Sequence, residues 1–475
     1  MNSAAPTPSF TPLTHEALSP LDGRYREQTA PLATYLSEAA LNRARLHVEV
    51  EWLIFSVAAG IYPGLAPLSA EDQAYLRSLP ANFSEETRAR LADFERETRH
   101  DVKAVEYLLR EHLTGAPEGS PLPELGELVH VFCTSEDINN LAYALCLQGA
   151  IAQVWRPAAA SLQATLAELA HRYADIAMLS RTHGQTATPT TLGKEMAVFA
   201  HRFARQLDRL DQCEYLGKFN GATGTFSAHV AALPQVDWLE VSRGFVTHLG
   251  LTWNPLTTQI ESHDWQAELF GVIVHFNRIA HNLATDCWTY ISLGYFRQDL
   301  AAQGSTGSST MPHKINPIRF ENGEANLEVS NALLESLSAT LVTTRLQRDL
   351  TDSTTQRNIG SALGYSLLAL DNISRGLAGV AADPEVIAAD LGSRWEVLSE
   401  AVQQVLRVQD AIGSARVDSP YEQLKALTRG QGITEESLRQ FIENLPVPDS
   451  VKETLTALRP ETYVGLAPQL PELLD

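Results

Sequence analysis

The chain has 475 residues, 44% of them hydrophobic, which is more than one compact core organises and predicts several domains or one elongated bundle. Its net charge of −21, from 36 Lys and Arg against 57 Asp and Glu, argues against nucleic-acid backbones and anionic membrane surfaces as partners. A polyanionic substrate would have to be met by a local cluster of Arg and Lys.

Residues 1–20, rich in Pro, Ser, Thr and Ala, read as a disordered extension with neither the basic nor the apolar region of a signal peptide. Asp22-Gly23-Arg24-Tyr25 is a turn carrying a cation and an aromatic. A helix is predicted from about Leu36 to Ala59, with Leu46, Val50, Leu53 and Ile54 on one face. A Pro-broken segment runs from Pro63 to Pro80, and a second helical stretch leads into Arg99-His100-Asp101. Thr114 to Pro123 is the clearest linker, so an N-terminal helical domain is placed at 21–120.

Long helices dominate residues 121–377. Leu162, Leu166, Leu169 and Tyr173 form one apolar stripe, and Met196, Phe199, Phe203, Leu207 and Leu210 form another. Leu269, Ile273, Phe276, Ile279, Leu283, Cys287 and Tyr290 form a third, and such stripes are the seams of a bundle. A helix from Trp265 to about Phe296 would be about 48 Å long, and helices of that length need neighbours throughout. Other copies of the chain are expected to supply some of them, which predicts a homo-oligomer. Gly217 to Pro234 reads as a loop or short hairpin whose glycines lack dinucleotide-binding spacing. The pattern breaks between Gly376 and Pro384, and shorter amphipathic helices over 378–475 make a third domain. The predicted fold class is all-α, a three-domain chain with a central long-helix bundle.

Cys133, Cys146, Cys213 and Cys287 form no Cys-x-x-Cys pair, and there is no His-Glu-x-x-His helix, so neither a metal site nor a redox pair is indicated. Scattered thiols and the lack of any membrane-spanning apolar run predict a cytoplasmic protein.

Gly304 to Arg319 stands apart from its helical surroundings: it is rich in Gly, Ser, Thr and Pro and has no apolar period. Lys314 and Asn316, flanked by Pro312 and Pro317 just before a helix at Phe320, suit an anion, although a plain Ser/Gly linker would also contain such residues. His183 lies beside Gly184 at a break between two helices, where it is either a cap or a group entering a cleft. Cys133 to Asn140 reads as a capping box. Gln259 offers an amide, and Arg348, Ser353 and Arg357 cluster cations and hydroxyls that fit a solvated salt-bridge face as well as a phosphate site.

The run Gly307-Ser308-Ser309-Thr310-Met311-Pro312-His313-Lys314-Ile315-Asn316-Pro317 resembles the signature of the fumarase/aspartase superfamily, whose members eliminate fumarate from succinyl-type substrates. Its Pro-His-Lys form is most similar to the branch that acts on adenylosuccinate. The resemblance covers the chain from about Leu18 to Tyr463, with at least five motifs in order. Elimination needs a base for a carbon-bound proton, an acid for the departing nitrogen and stabilisation of a doubly negative intermediate. The resemblance implies that His183, in Thr-His-Gly-Gln, is the acid and that Ser308 is the base. Ser309, Lys314 and Asn316 would hold a carboxylate, and Asn322 would be a further substrate contact.

By the same resemblance Arg24 and Tyr25 contact phosphate, Thr134 and Ser135 donate to a succinyl carboxylate, and Gln259 supplies its amide. Arg348, Ser353 and Arg357 become nucleotide-phosphate ligands. His100 and Asp101 match an Asn-His-Asp motif in which Arg99 replaces the asparagine, and Thr354-Thr355-Gln356 is more polar than the family pattern. The resemblance implies a nucleotide substrate, no cofactor, and a homotetramer whose active sites each draw on three subunits. Its implied reactions are cleavage of adenylosuccinate to AMP and fumarate, and of the succinylated aminoimidazole-carboxamide ribotide to its amide and fumarate. A sibling lyase acting on argininosuccinate or aspartate would not need the phosphate candidates. A retired, non-catalytic relative would not need Ser308, His183 and Lys314 intact.

Overall fold

The computed structural model describes residues 17–299, 311, 314–415, 422 and 433–474. The chain is mostly helical. It divides into two compact units, each assembled from three separate stretches of sequence. The first comprises the chain up to Pro157 with Leu210–His275 and Asn326–Ala369; the second comprises Ala158–Arg209, Phe276–Ala325 and Leu370 onward. No helix among the described residues is long and apolar enough to cross a membrane.

The first unit opens with α1 (Arg26–Leu36) and α2 (Glu38–Ala58). The helix predicted from Leu36 starts two residues later because Ser37 is extended and its hydroxyl accepts the Ala40 N–H at 3.1 Å, an N-cap. Leu46, Val50, Leu53 and Ile54 are buried on one face of α2, as their spacing predicts. They pack with Leu76 of α3 (Ala70–Ala81), Leu91 of α4 (Glu85–Thr98) and Leu109 and Leu113 of α5 (Asp101–Thr114). The Pro63–Pro80 segment therefore contains a helix that the prolines concealed. Ser69 caps its start, and Pro80 stands next to its last residue, so the one N–H bond that proline removes falls at the very end of the helix. Beyond α5, Leu122 and Leu125 join the same core from a 3₁₀ turn over Leu122–Leu128.

This unit continues with α6 (Ser135–Ala150), β5 (Leu216–Gly217), α9 (Ser227–Ala232), α10 (Trp238–His248) and β6 (Thr252–Trp253). The loop or hairpin predicted for Gly217–Pro234 is instead a strand end followed by α9. β5 pairs in parallel with β6, so their connection is a crossover and not a tight turn. α13 (Thr351–Gln356) and the start of α14 (Ile359–Ala378) also belong to this unit. An ion cluster around the buried Glu51 ties three helices together: Glu51 of α2 accepts from the exposed Arg77 of α3 at 2.7 and 2.9 Å and lies 2.9 Å from His248 Nε2 of α10.

The second unit contains α7 (Arg156–Arg172) from Ala158 onward and most of α8 (Leu192–Asp211). It also holds the later part of α11 (Asp264–Ser292) and the start of α12 (Ile318–Leu341). The apolar stripes predicted for these helices are buried, save that Tyr173 and Tyr290 at their ends are half-exposed. Phe203 stacks on Phe276 with ring centroids 4.4 Å apart. α8 approaches α7 so closely that a Cβ on Gly193 would sit 2.3 Å from the Ala170 carbonyl oxygen. α11 ends at Ser292, shorter than predicted and about 43 Å long, and Gly294 at φ +76° redirects the chain into β7 (Phe296–Gln298). β7 pairs antiparallel with β8 (Val380–Ala382). The carboxy-terminal part of the unit includes α15 (Pro384–Gly392), α16 (Ser399–Ala411), α17 (Glu435–Glu443) and α18 (Asp449–Ala457), with Leu398, Val402, Leu438 and Leu455 in a shared core.

Burial alone would raise the Glu51 carboxyl, but hydrogen bonds from Arg77 and His248 outweigh it and hold the group at about 2, against an ordinary 4.5. A depressed folded-state pKa contributes stability that is complete above 4.5 and is lost as pH falls towards 2. Urea midpoints measured across that window should therefore fall less steeply for Glu51→Gln than for the parent chain.

Candidate functional site

In the first unit the break between α4 and α5 presents two of the sequence-predicted residues. Arg99 ends α4 in the left-handed region at φ +52°, and His100 is extended and caps α5, its Nδ1 accepting the Lys103 N–H at 3.3 Å. That bond leaves the proton of a neutral imidazole on Nε2, so the half-exposed ring offers a donor. Asp101 Oδ2 lies 2.9 Å from Arg45 Nη2 and 3.3 Å from Arg357 Nη2, and its Oδ1 accepts the Val102 N–H at 2.9 Å. Burial would push this carboxyl up, but Arg45, the Val102 N–H and Arg357 hold it below the usual carboxylate range.

From Asp101 a continuous polar chain crosses the unit. Arg45 Nε donates to Asn139 Oδ1 at 2.8 Å, and Asn139 Nδ2 donates to Glu136 Oε1 at 2.8 Å. Arg348 Nη2 pairs with the same Glu136 oxygen at 2.9 Å while its Nη1 donates to Gln259 Oε1 at 3.2 Å, and Gln259 Nε2 donates to the Ala222 carbonyl at 2.8 Å. Asp101, Gln259, Arg348 and Arg357, far apart in sequence, thus share one network. Arg45, Glu136 and Asn139, all buried, are its unpredicted members. The signal for Glu136 and Asn139 was a run of polar residues entering an otherwise apolar helix, and Arg45 carried one as a lone cation beside a core stripe.

Thr134 and Ser135, both half-buried, lie at the start of α6. The predicted capping arrangement is present in that Asp137 Oδ2 accepts the Thr134 N–H at 2.8 Å. Asp137 has no exposure; it also accepts the backbone N–H groups of Asn220 and Gly221, at 3.0 and 3.1 Å, and pairs with the equally buried Lys218 Nζ at 2.8 Å. Asn140 exchanges two hydrogen bonds with the backbone of Lys218, at 2.8 and 3.1 Å.

The remaining first-unit residues lie around this network. Arg24 is exposed on the predicted turn with its guanidinium 5.7 Å from the ring of Tyr25, the residue that precedes α1. The turn and Arg357 border a common cavity, lined by Leu21, Gly23, Arg26, Glu38 and Arg357 among others. Arg357 also pairs with the exposed Glu38 at 2.9 Å. Ser353 is half-buried, its N–H donating to Asp352 Oδ1 at 2.6 Å. The polar departure at Gln356 has a structural partner, since its buried amide donates to Gln266 Oε1 at 3.3 Å.

The second unit carries His183, Lys314, Asn316 and Asn322. Between α7 and α8, β1 (Ala177–Met178) pairs with β4 (Thr190–Thr191), and between them β2 (Arg181–Thr182) pairs with β3 (Gln185–Thr186). His183 and Gly184 form the tip, with φ of +55° and +73°; positive values at both positions are the pattern of a type I′ turn. Glycine adopts it freely, whereas His183 is held there by the hairpin, with its ring exposed. Lys314 is exposed and its N–H donates to the Met311 carbonyl at 2.9 Å; Asn316 accepts the Ile318 N–H at 2.8 Å through its own carbonyl. Gln298 Nε2, at the end of β7, donates to the Ile315 carbonyl at 2.9 Å, and Asn322 is half-buried in α12. Ser308 and Ser309 lie outside the described residues. Among the described residues no group of three or more His, Cys, Asp or Glu side chains is arranged to hold a metal ion.

A family model described as Lyase matches residues 23–329. Among solved structures, fumarate lyase from Mesorhizobium sp. BNC1 has a TM-score of 0.71 at 21% identity, covering 98% of this chain and 99% of that one. The 3-carboxy-cis,cis-muconate lactonizing enzyme of Pseudomonas putida has a TM-score of 0.69 at 20% identity, covering 94% and 96%. The helical architecture and the sequence model together define a lyase of the fumarase/aspartase superfamily. A second model, described as Adenylosuccinate lyase C-terminal, matches residues 344–464. Adenylosuccinate lyase of Legionella pneumophila (strain Corby) is 46% identical over 456 residues, 96% of this chain and 97% of that one. The protein of the same name from Escherichia coli (strain K12) is 46% identical over 451 residues, 95% and 97%. This chain belongs to the adenylosuccinate lyase family, and it is an enzyme.

Arg99 is exposed in a conformation that asparagine tolerates better than arginine. Arg99→Asn should stabilise the chain by roughly 0.5 kcal/mol, read as a raised urea midpoint with unchanged slope.

Proposed function

We propose that this chain cleaves adenylosuccinate to AMP and fumarate and, by the same elimination, converts the succinylated aminoimidazole-carboxamide ribotide to its amide and fumarate. The observation that carries this reading is the 46% identity, over nearly the whole of both chains, to proteins named adenylosuccinate lyase. Ser308 takes the proton from the carbon beside a succinyl carboxylate, the C–N bond breaks with its electron pair passing to nitrogen, and His183 as imidazolium protonates that nitrogen. The β2–β3 hairpin supports the acid role, because it holds an exposed imidazole at a backbone conformation that a cap or a surface histidine does not require. Lys314, Asn316, Asn322 and Ser309 bind the carboxylate on which charge grows, and Thr134 and Ser135 donate to a succinyl carboxylate. His100 orients the substrate through its Nε2–H, and Asp101 fixes the cations around it.

Arg24, Tyr25, Ser353, Arg357 and Arg348 are the candidates for the nucleotide phosphate. Arg357 can exchange the exposed Glu38 for phosphate at little cost, whereas Arg348 neutralises a Glu136 carboxylate that is only 3% exposed. Arg24 and Arg357 therefore carry the larger share of phosphate contact, while Arg348 chiefly holds Gln259 and Glu136 in place. A cytoplasmic homotetramer with sites drawn from three subunits completes the reading. Exposed apolar residues along the long helices, Val198, Trp288 and Val329, support it as surfaces that another copy would cover.

The test is the ultraviolet absorbance change of purified chain with adenylosuccinate, run beside argininosuccinate. Turnover of the first alone is expected. Activity only with argininosuccinate would make the chain a sibling lyase, and silence with both a retired one. Ser308→Ala and His183→Ala should each lower kcat by about 10²-fold or more with KM little changed, and near-parent turnover in either would remove that role. Arg24→Ala should chiefly raise KM.

A further inference from the structure

The hairpin that carries His183 is too small to hold its own direction. β2 and β3 have two residues each, all exposed, and an isolated two-stranded hairpin is marginal in water. Its only long cation is Arg181, two residues before His183, and that side chain is engaged away from the tip. Arg181 Nη1 donates to Tyr295 Oη at 2.9 Å and Nη2 pairs with Asp390 Oδ2, while Tyr295 Oη in turn donates to Asp390 Oδ2. The three side chains close a ring of hydrogen bonds, with the guanidinium 5.7 Å from the centre of the tyrosine ring. Tyr295 is 1% exposed.

The two partners of Arg181 sit on elements that are themselves fixed. Tyr295 immediately precedes β7, and its carbonyl accepts the Asp383 N–H at 2.8 Å. Asp383 caps α15, the helix that carries Asp390, and pairs with Arg297 of β7 at 3.2 Å. β7 is bound to β8, and Gln298 at its end holds the Ile315 carbonyl just beyond Lys314. Arg394 approaches the other Asp390 oxygen at 3.9 Å. The Arg181 side chain is 29% exposed, so apolar burial does not account for a three-membered polar closure at this point.

We propose that Arg181, Tyr295 and Asp390 are positioning residues for the elimination, a hydrogen-bonded closure that sets the direction of the His183 hairpin against β7 and α15. The inference rests on the assignment of His183 as the general acid. None of the three needs to touch substrate. Their effect is on where the imidazole stands, and a misplacement of about 1 Å can lower a rate by about 10²-fold.

The experiment uses the full chain with adenylosuccinate. Tyr295→Phe, which keeps the ring and removes only the hydroxyl, and Asp390→Asn should each lower kcat by about 10- to 100-fold while KM stays within about twofold. In a His183→Gln background, Tyr295→Phe should lower kcat no further, because a residue acting through His183 has nothing left to position. Arg181→Lys should retain more rate than Arg181→Ala. Thermal unfolding of each variant reports folding, and Asp390→Asn stands in if Tyr295→Phe does not fold. Unchanged kcat in both single variants, or a loss that multiplies with that of His183→Gln, would overturn the positioning role. Parent-like turnover in His183→Gln would overturn the acid assignment and this role with it. That result is distinct from an inactive His183→Gln beside a fully active Tyr295→Phe, which overturns the positioning role alone.

Discussion

A carboxylate without exposure is stable as a charge only when each oxygen is met, and Asp137 has two partners on each. Three of the four are backbone N–H groups and the fourth is Lys218, so one side chain fixes both the entry to α6 and the chain from Lys218 to Gly221. Thr134 and Ser135 on one side and the Ala222 carbonyl that receives Gln259 on the other follow from that anchor. The network from Asp101 to Gln259 is suspended between these fixed points. Its members hold one another by charge-assisted bonds, which are strong only where geometry is preset.

That network also answers the electrostatic question raised by a chain of net charge −21. Arg45, Arg348 and Arg357 are each matched by Asp101, Glu136 or Glu38, so the cations are held neutralised and not as an open positive patch. Among the described residues no carboxylate pairs with Arg24. An anion entering such a site gains affinity by exchanging partners, and the exchange is easiest where the existing partner is already in water, as Glu38 is.

Helical period made most of the architecture legible. Leu162, Leu166, Met196, Phe203, Leu269 and Phe276 are buried because a 3.6-residue repeat of apolar side chains has few other uses. The same reasoning failed at Pro63–Pro80, where proline was read as a breaker although at the very end of a helix it interrupts little of it, and at Gly217, where a parallel pairing leaves no local signature. His183 and Gly184 were legible as a motif but not as a hairpin, because strands of two residues have no period. Arg45, Glu136 and Asn139 escaped notice because partners distant in sequence define them. The Arg181–Tyr295–Asp390 closure is of the same kind: three unremarkable residues whose meaning lies in their meeting.

Each unit is threaded from three stretches of sequence, with consequences for how the chain is made. The first unit cannot close until residue 369 has been synthesised, and the second waits for the carboxy-terminal helices. At 5–20 residues per second, about 10 s or more separate the emergence of Pro157 from that of Ala369. During that interval the apolar faces of α2 and α6 are ready while some of their partners do not yet exist. A nascent chain of this design spends that interval half-assembled, with apolar surface exposed that the finished chain covers.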